Sequence, residues 1–251
     1  MIQAPDFATS GFTAEANHPS SQSQSHLPPP LANIIKEHDD PSSAVRPPRE
    51  TWQAIAARKQ AERESLLVPD ARATHLLSPS LRNVSTLPET SGLLTPRELE
   101  IINLTATALA SAIATRKYTS VEVTTAYCKS ATIAQDATNC LTEICFKAAV
   151  QRAKELDEVM ERTGKTVGPL HGVPVSVKDH IDVQGMDGST GFVGWCYNKV
   201  VDKDAVVVRC VREAGGIVYC KTANPQSLLV STWSEISWRG CDMEKEEERI
   251  G

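Results

Sequence analysis

The sequence predicts an α/β fold, with a β-sheet flanked by helices, that follows a disordered N-terminal tail. Two observations lead to this prediction. After residue 95, stretches with apolar residues at helical spacing alternate with short apolar runs of strand length. Hydrophobic residues make up 41% of the 251 residues, which is ordinary for a globular core. Because aromatic residues account for only 5%, that core must consist mainly of valine, isoleucine, leucine and alanine.

Residues 1–50 are predicted to be disordered. A serine- and glutamine-rich run at residues 20–25 leads to three consecutive prolines at residues 28–30. Little apolar surface is available here to offset the entropy of ordering the chain. The proline triplet also suits a polyproline-binding groove, but the composition favours a solvated tail.

Residues 51–92 are interpreted as an outlying helix and a connector. Trp52, Ile55, Ala56 and Lys59 fall at helical spacing, which predicts a helix as far as about residue 67. Prolines then punctuate the chain up to Gly92, and this predicts an extended connector.

Residues 93–230 carry the regular elements of the predicted sheet domain. Thr95 begins a helix with proline at its first position, and an alanine-rich helical pattern then runs to about residue 117. Thr119 with Glu122 predicts a capping box at the start of the next helix. Further helices are predicted at residues 148–161 and 205–213, and strands at residues 141–146, 173–178 and 217–220. The first of these helices should turn four apolar residues inward: Ala149, Ala153, Leu156 and Met160.

The charge and the apolar pattern exclude several classes of function. A net charge of −5 provides no field that would attract nucleic acid or an anionic membrane. The sequence has no apolar run near the roughly 20 residues that span a bilayer. The first ten residues resemble neither a secretory signal nor a mitochondrial presequence. We therefore expect a cytoplasmic protein with neither a membrane nor a nucleic-acid partner.

The cysteines and histidines do not indicate a metal or a cofactor. The seven cysteines are scattered, and none forms a C-x-x-C pair, so reduced thiols are expected. His171 and His180 flank one loop-like segment, but a metal site there would need further ligands at suitable spacing.

The stretch GPLHGVPVSVKD, at residues 168–179, is the most informative part of the sequence. It places Lys178 at the end of a nearly all-apolar strand, and because such a run is typical of a strand covered on both faces, we expect Val173, Val175 and Val177 to be mostly buried. A lysine that loses hydration there has a lowered pKa and, once neutral, can accept a proton from a serine. The alternative is a surface lysine just past a strand, paired with Asp179.

The stretch resembles the lysine-bearing motif of the amidase signature family, G-P-L-x-G-x-P-x-x-x-K-D. It is most similar to the fungal general amidase and acetamidase branch. Further segments match that branch in the family's order: GLLTPRELE at residue 92, TSVEVT at residue 119, NCLTE at residue 139 and KT at residue 221. The resemblance covers about residues 52–229 and implies the N-terminal part of the family's mixed β-sheet with its helices.

The resemblance implies a serine amide hydrolase that needs no cofactor. Lys178 would be the general base, passing protons through a bridging serine to a nucleophilic serine. Small linear amides would be cleaved to an acid and ammonia or an amine. Ser189, Thr190 and Gly191 would belong to the loop near the substrate, while Asp179 would orient the backbone or Lys178.

The sequence departs from the family after residue 229. The family carries both of its serines in a G-G-S-S-G-G segment, and none occurs in these 251 residues. Ala223 also stands where the family usually has asparagine. Ser227 and the later serines lack the glycines, and residues 231–251 look like an unrelated, disordered ending. We therefore expect a chain truncated before its nucleophile and inactive as given.

Two alternatives to an inactive hydrolase follow from the missing serines. One is a non-catalytic fragment with an interaction or regulatory role, for example by pairing with a full-length relative or with itself. The other is an unproductive splice or gene product that does not accumulate in folded form.

Overall fold

A three-stranded mixed sheet with helices packed on it forms the centre of the computed structural model, which describes residues 50–78, 81 and 83–228. The helices are α1 (Trp52–Leu66), α2 (Leu87–Thr90), α3 (Pro96–Ile102), α4 (Ala106–Ala114), α5 (Ser120–Thr138), α6 (Phe146–Thr163) and α7 (Val206–Glu213). The strands are β1 (Leu141–Ile144), β2 (Pro174–Lys178) and β3 (Ile217–Thr222). Single 3₁₀ turns lie at Pro69–Ala71, Thr74–Leu76, Val193–Trp195 and Gln226–Leu228.

The α/β prediction is confirmed, and the sheet is held together by its last strand in sequence. The strand order is β1–β3–β2, so that β3 lies in the middle. β2 runs parallel to β3 and β1 runs antiparallel to it. The carboxyl ends of β2 and β3 therefore meet at one edge, with Lys178 opposite Thr222.

The helix starts follow the capping pattern of the sequence. At Thr95 and at Thr119, the threonine side chain accepts a hydrogen bond from the third helical N–H, and the glutamate at that position bonds back to the threonine N–H. The alanine-rich pattern up to residue 117 is two helices, because α3 ends at Ile102 and Thr105 caps a new one. The Thr105 side chain accepts from the N–H of Ala108 at 3.2 Å.

Helix α6 covers the sheet with the face that the sequence predicts. Ala149, Ala153, Leu156 and Met160 are all buried. The first three pack with Ile217 of β3. The helix ends at Thr163 and Gly164 caps it, with a φ of +68° that suits glycine at a helix C-terminus.

Helix α1 packs into the domain and does not lie apart from it. Ile55 and Ala56 are buried against Val193 and Cys196. Lys59 is only 6% exposed. Two buried basic residues on its inner face give α1 an unusually polar sequence, and this explains why it was predicted to be outlying.

The lysine-bearing strand is covered less completely than its apolar sequence suggests. Val173 and Val177 are buried, as predicted, and Val175 is half-buried. Ser176 and Lys178 are exposed. Within the described residues β2 is an edge strand with one open face, so the expectation of cover on both faces is wrong here.

The predictions for residues 1–49 and 229–251, including the proline triplet and the unrelated ending, lie outside the described residues. Of the helices that the structure describes, none combines the length and the apolar character of a bilayer-spanning segment.

Candidate active site

Lys178 is the last residue of β2, where the sequence predicts it. Its Nζ donates a hydrogen bond to the carbonyl oxygen of Ala223, just beyond β3, at 2.7 Å. The rest of the side chain is exposed, so the described residues do not provide the desolvation that the apolar strand suggested. This hydrogen bond therefore fixes the direction of the Lys178 side chain, while the rest of that side chain is exposed.

Asp179 points away from Lys178 into the interior, where it is 1% exposed. Its carboxylate accepts hydrogen bonds from the Ser189 hydroxyl at 2.7 Å, the Thr142 hydroxyl at 3.1 Å and the Gly191 N–H at 3.4 Å. Lys221 Nζ lies 3.8 Å from the same group. Asp179 thus holds the Ser189–Gly191 backbone and is not the partner of Lys178.

The three candidate loop residues lie beside the end of β3. Ser189 is buried, while Thr190 and Gly191 have positive φ angles of +50° and +81°. A Cβ atom added at Gly191 would lie 2.9 Å from the Gln226 nitrogen and 3.0 Å from the Asn224 oxygen. Only glycine fits this conformation and this approach. The loop and Lys178 therefore contact the same short segment, residues 223–226.

Beneath the loop lies a buried ion cluster that the sequence analysis missed. Lys59 Nζ is 2.7 Å from a Glu143 carboxylate oxygen and 2.8 Å from an Asp187 carboxylate oxygen. Lys221 is fully buried and donates to the Asp187 carbonyl oxygen at 2.5 Å. The signals in the sequence were a lysine on the apolar side of α1 and another inside the apolar strand β3.

Together with Asp179, this cluster holds three carboxylates and two ammonium groups. Burial raises the pKa of Glu143 to about 7, despite the adjacent Lys59. Burial works to lower the pKa of Lys59, but its contacts with Glu143 and Asp187 outweigh that effect and raise it. Burial lowers the pKa of Lys221. Burial disfavours the charged form of the Glu143 carboxyl group, and this accounts for the direction of the shift in its pKa.

The two histidines lie in different surroundings. His171 is buried and its Nδ1 accepts a hydrogen bond from the Val167 N–H at 3.1 Å. Burial lowers its pKa, so it is neutral at pH 7. His180 is exposed. Across the described part of the chain, no three His, Cys, Asp or Glu side chains are grouped as metal ligands would be.

Replacing Glu143 with glutamine should flatten the pH dependence of stability between pH 4.5 and pH 7. The folded-state pKa lies above the ordinary value of 4.5, so the folded protein binds more protons in this window and its stability falls as pH rises. Glu143→Gln should remove about 1–3 kcal/mol of that fall. The measurement is urea unfolding at pH 4.5 and pH 7.5. The control is Glu155→Gln, which alters an exposed ion pair with Arg152. If the free energy of unfolding changes equally with pH in both variants, the raised pKa of Glu143 is contradicted.

Comparison with known proteins supports the resemblance. A family model described as Amidase matches residues 122–237. The chain is 42% identical over 185 residues to a protein named Amidase from Gibberella moniliformis, and 41% identical over 181 residues to an Acetamidase from Emericella nidulans. These alignments cover 71% and 72% of this chain, but only 35% and 32% of the two relatives. The chain therefore spans about a third of the length of the relatives that it matches.

A solved structure of similar fold is a fatty acid amide hydrolase. The TM-score is 0.62 at 27% sequence identity. The match covers 72% of this chain and 32% of that chain. The helices and the small mixed sheet thus correspond to a portion of a larger fold.

Proposed function

We propose that the chain belongs to the amidase family, which its match to the Amidase model and to the fungal relatives supports, and that Lys178 is the general base of a serine amide hydrolase. The observation that carries the proposal is the position of its Nζ. It lies at the carboxyl end of β2, held by the Ala223 carbonyl on an otherwise open face. Sites of α/β sheets form at the carboxyl ends of strands, where a reacting group can be reached.

The hydrogen bond to Ala223 suits a lysine that accepts protons. A neutral amine can donate one N–H to this carbonyl while its lone pair faces the open side of β2. The nucleophilic serine would transfer its proton through a second serine to Lys178 as its oxygen bonds to the amide carbon. The C–N bond then breaks, the amine leaves with a proton, and water hydrolyses the acyl-enzyme to the acid.

The loop of Ser189, Thr190 and Gly191 is the proposed boundary of the substrate site. It contacts residues 223–226, the segment that also binds Lys178. Small linear amides are the proposed substrates, since one relative is named an acetamidase. No cofactor enters the reaction. The unpaired thiols of the six described cysteines suit the cytoplasmic location that we propose.

We also propose that residues 1–251 alone cannot complete this reaction. They contain no G-G-S-S-G-G segment, and the polar contact of Lys178 in the described part is a carbonyl rather than a hydroxyl. In this proposal, the exposed face of β2 is covered by chain that corresponds to the remaining two thirds of the relatives. That cover would supply both serines.

Adding the missing segment should create amide hydrolysis where the 251-residue polypeptide has none. We use the name completed chimera for a protein in which residues 230–251 are replaced by the downstream region of a close full-length relative, including its glycine–serine segment. Loss of a serine nucleophile typically lowers turnover about a million-fold, so the contrast should be large. Hydroxamate formation from acetamide and hydroxylamine measures the acyl-enzyme directly.

The matched control is Ser176→Ala, which removes the exposed hydroxyl two residues before Lys178. This variant should leave turnover unchanged in both the 251-residue polypeptide and the completed chimera. If the purified 251-residue polypeptide hydrolyses amides and Lys178→Ala abolishes that turnover, the proposal is contradicted, because the nucleophile would then lie within these residues.

A further inference from the structure

We propose that Lys59 is a positioning residue for amide hydrolysis, which through Asp187 holds the loop from Asp187 to Tyr197 against the catalytic edge of the sheet. This loop carries Ser189 and Gly191. The expected effect of Lys59 on amide hydrolysis rests on the proposed function. The structural part of the inference, that α1 fixes this loop, stands on contacts within the described residues.

The first step is the position of Lys59 between two elements. Its side chain is 7% exposed, and its Nζ contacts Glu143 on β1 and Asp187 at the start of the loop, at 2.7 and 2.8 Å. The two carboxylates are themselves 15% and 2% exposed. One ammonium group thus ties α1, the sheet and the loop together.

The second step is that Asp187 fixes the far end of the loop as well as its start. Its other carboxylate oxygen accepts a hydrogen bond from the Tyr197 N–H at 2.9 Å. Its carbonyl oxygen accepts from Lys221, inside β3. Both ends of the loop are therefore held by the residue that Lys59 binds.

The third step is a second contact between α1 and the same loop end. The Arg58 guanidinium lies 3.9 Å from the centroid of the Tyr197 ring, and Lys59 Nζ lies 4.7 Å from it. The Tyr197 hydroxyl donates to Glu62 at 2.8 Å. Tyr197 has a φ of +63°, which is uncommon for a bulky residue and has to be maintained by its surroundings.

These contacts set the direction of the loop more than they stabilise the domain. A buried ion pair is a weak source of stability compared with well-packed apolar side chains. An apolar residue at position 59 would fill the space, but it would not hold Glu143 and Asp187 together. Ser189 follows Asp187 by two residues and bonds to Asp179, so a shift of Asp187 would move the candidate substrate loop.

The inference is tested first on loop order, with the 251-residue chain and without any assay of activity. We expect Lys59→Met to speed amide hydrogen exchange in residues 187–198 by at least about tenfold, because local opening becomes easier there. Exchange in β2 and β3 should stay as in the parent. Lys117→Met, which removes the same group from an exposed pair with Glu100, is the matched control and should change neither region.

A second variant keeps the test decisive if Lys59→Met does not fold. Lys59→Met combined with Glu143→Gln removes one of the two carboxylates left without a partner, so the fold should recover while the loop stays loose. Unchanged protection of residues 187–198 in either folded variant would overturn the inference. So would a uniform rise in exchange over the whole domain.

The catalytic part is tested in the completed chimera. Lys59→Met should lower kcat about 10- to 100-fold, the effect expected from misplacing a catalytic loop, while the pKa of the limiting base stays unchanged. Lys117→Met should retain the parent kcat. A chimera with no activity at all would refute the proposed function, and the exchange result would still decide whether Lys59 positions the loop. An active chimera that is insensitive to Lys59→Met would refute the positioning role alone.

Discussion

Lys178→Ala and Lys178→Arg should each lower turnover of the completed chimera by about a thousandfold or more, since general bases contribute roughly 10²–10⁴ and the proposed mechanism passes the protons of both serines through this lysine. Alanine removes the base. Arginine keeps the positive charge and length but stays protonated, so it cannot accept a proton. The measurement is kcat for ammonia release from acetamide, together with hydroxamate formation.

The controls separate this effect from a change in folding or in charge. Lys165→Ala and Lys165→Arg alter an exposed lysine on the loop after α6 and should leave kcat unchanged. Circular dichroism and the urea midpoint should match the parent in all four variants. A folded chimera that works equally well with Lys178→Ala would make Lys178 a structural lysine, and the proposed mechanism would be wrong.

Asp179→Ala should lower the free energy of unfolding by about 3–5 kcal/mol, as expected when one partner of a buried ion pair is removed. The fully buried Lys221 would lose a nearby carboxylate, and Ser189 would lose its acceptor. Much of the stability of a small domain would then be gone. The measurement is urea unfolding, read as a lower midpoint at unchanged slope.

Two further variants test the cause of this loss. Asp202→Ala removes an exposed carboxylate and should shift the midpoint very little. Asp179→Ala with Lys221→Met removes both charges and should recover part of the loss, because no buried charge is left without its partner. A loss below about 1 kcal/mol for Asp179→Ala would contradict the buried pair, being within the range of surface changes.

Local patterns predicted most of the fold. The capping box at Thr119 and the inner face of α6 depend on residues three or four apart, so the sequence alone was sufficient. Helix α1 was misjudged because the charges of Lys59 and Arg63, which lie on the same face as Ile55 and Ala56, suggested a helix at the surface. They are buried only because Glu143 and the carbonyl of Leu141 meet them from β1.

The candidate site was predictable only where a motif marked it. Lys178 and the Ser189–Gly191 loop were identified from the family resemblance. The partners of Asp179 were not, because Thr142 and Lys221 come from other strands, far away in sequence. Pairing between distant residues depends on strand order, and in this sheet the order is fixed by β3.

The central place of β3 has a consequence for the timing of folding during synthesis. β1 and β2 pair with β3 and not with each other, yet β3 is the last of the three to leave the ribosome. Thirty-eight residues separate Lys178 from Ile217, which at about 5–20 residues per second leaves β2 without a partner strand for roughly two to eight seconds. During that interval, its apolar edge is open to other nascent chains. Chaperone binding to ribosome-bound chains should therefore peak before residue 217 emerges and fall once β3 closes the sheet.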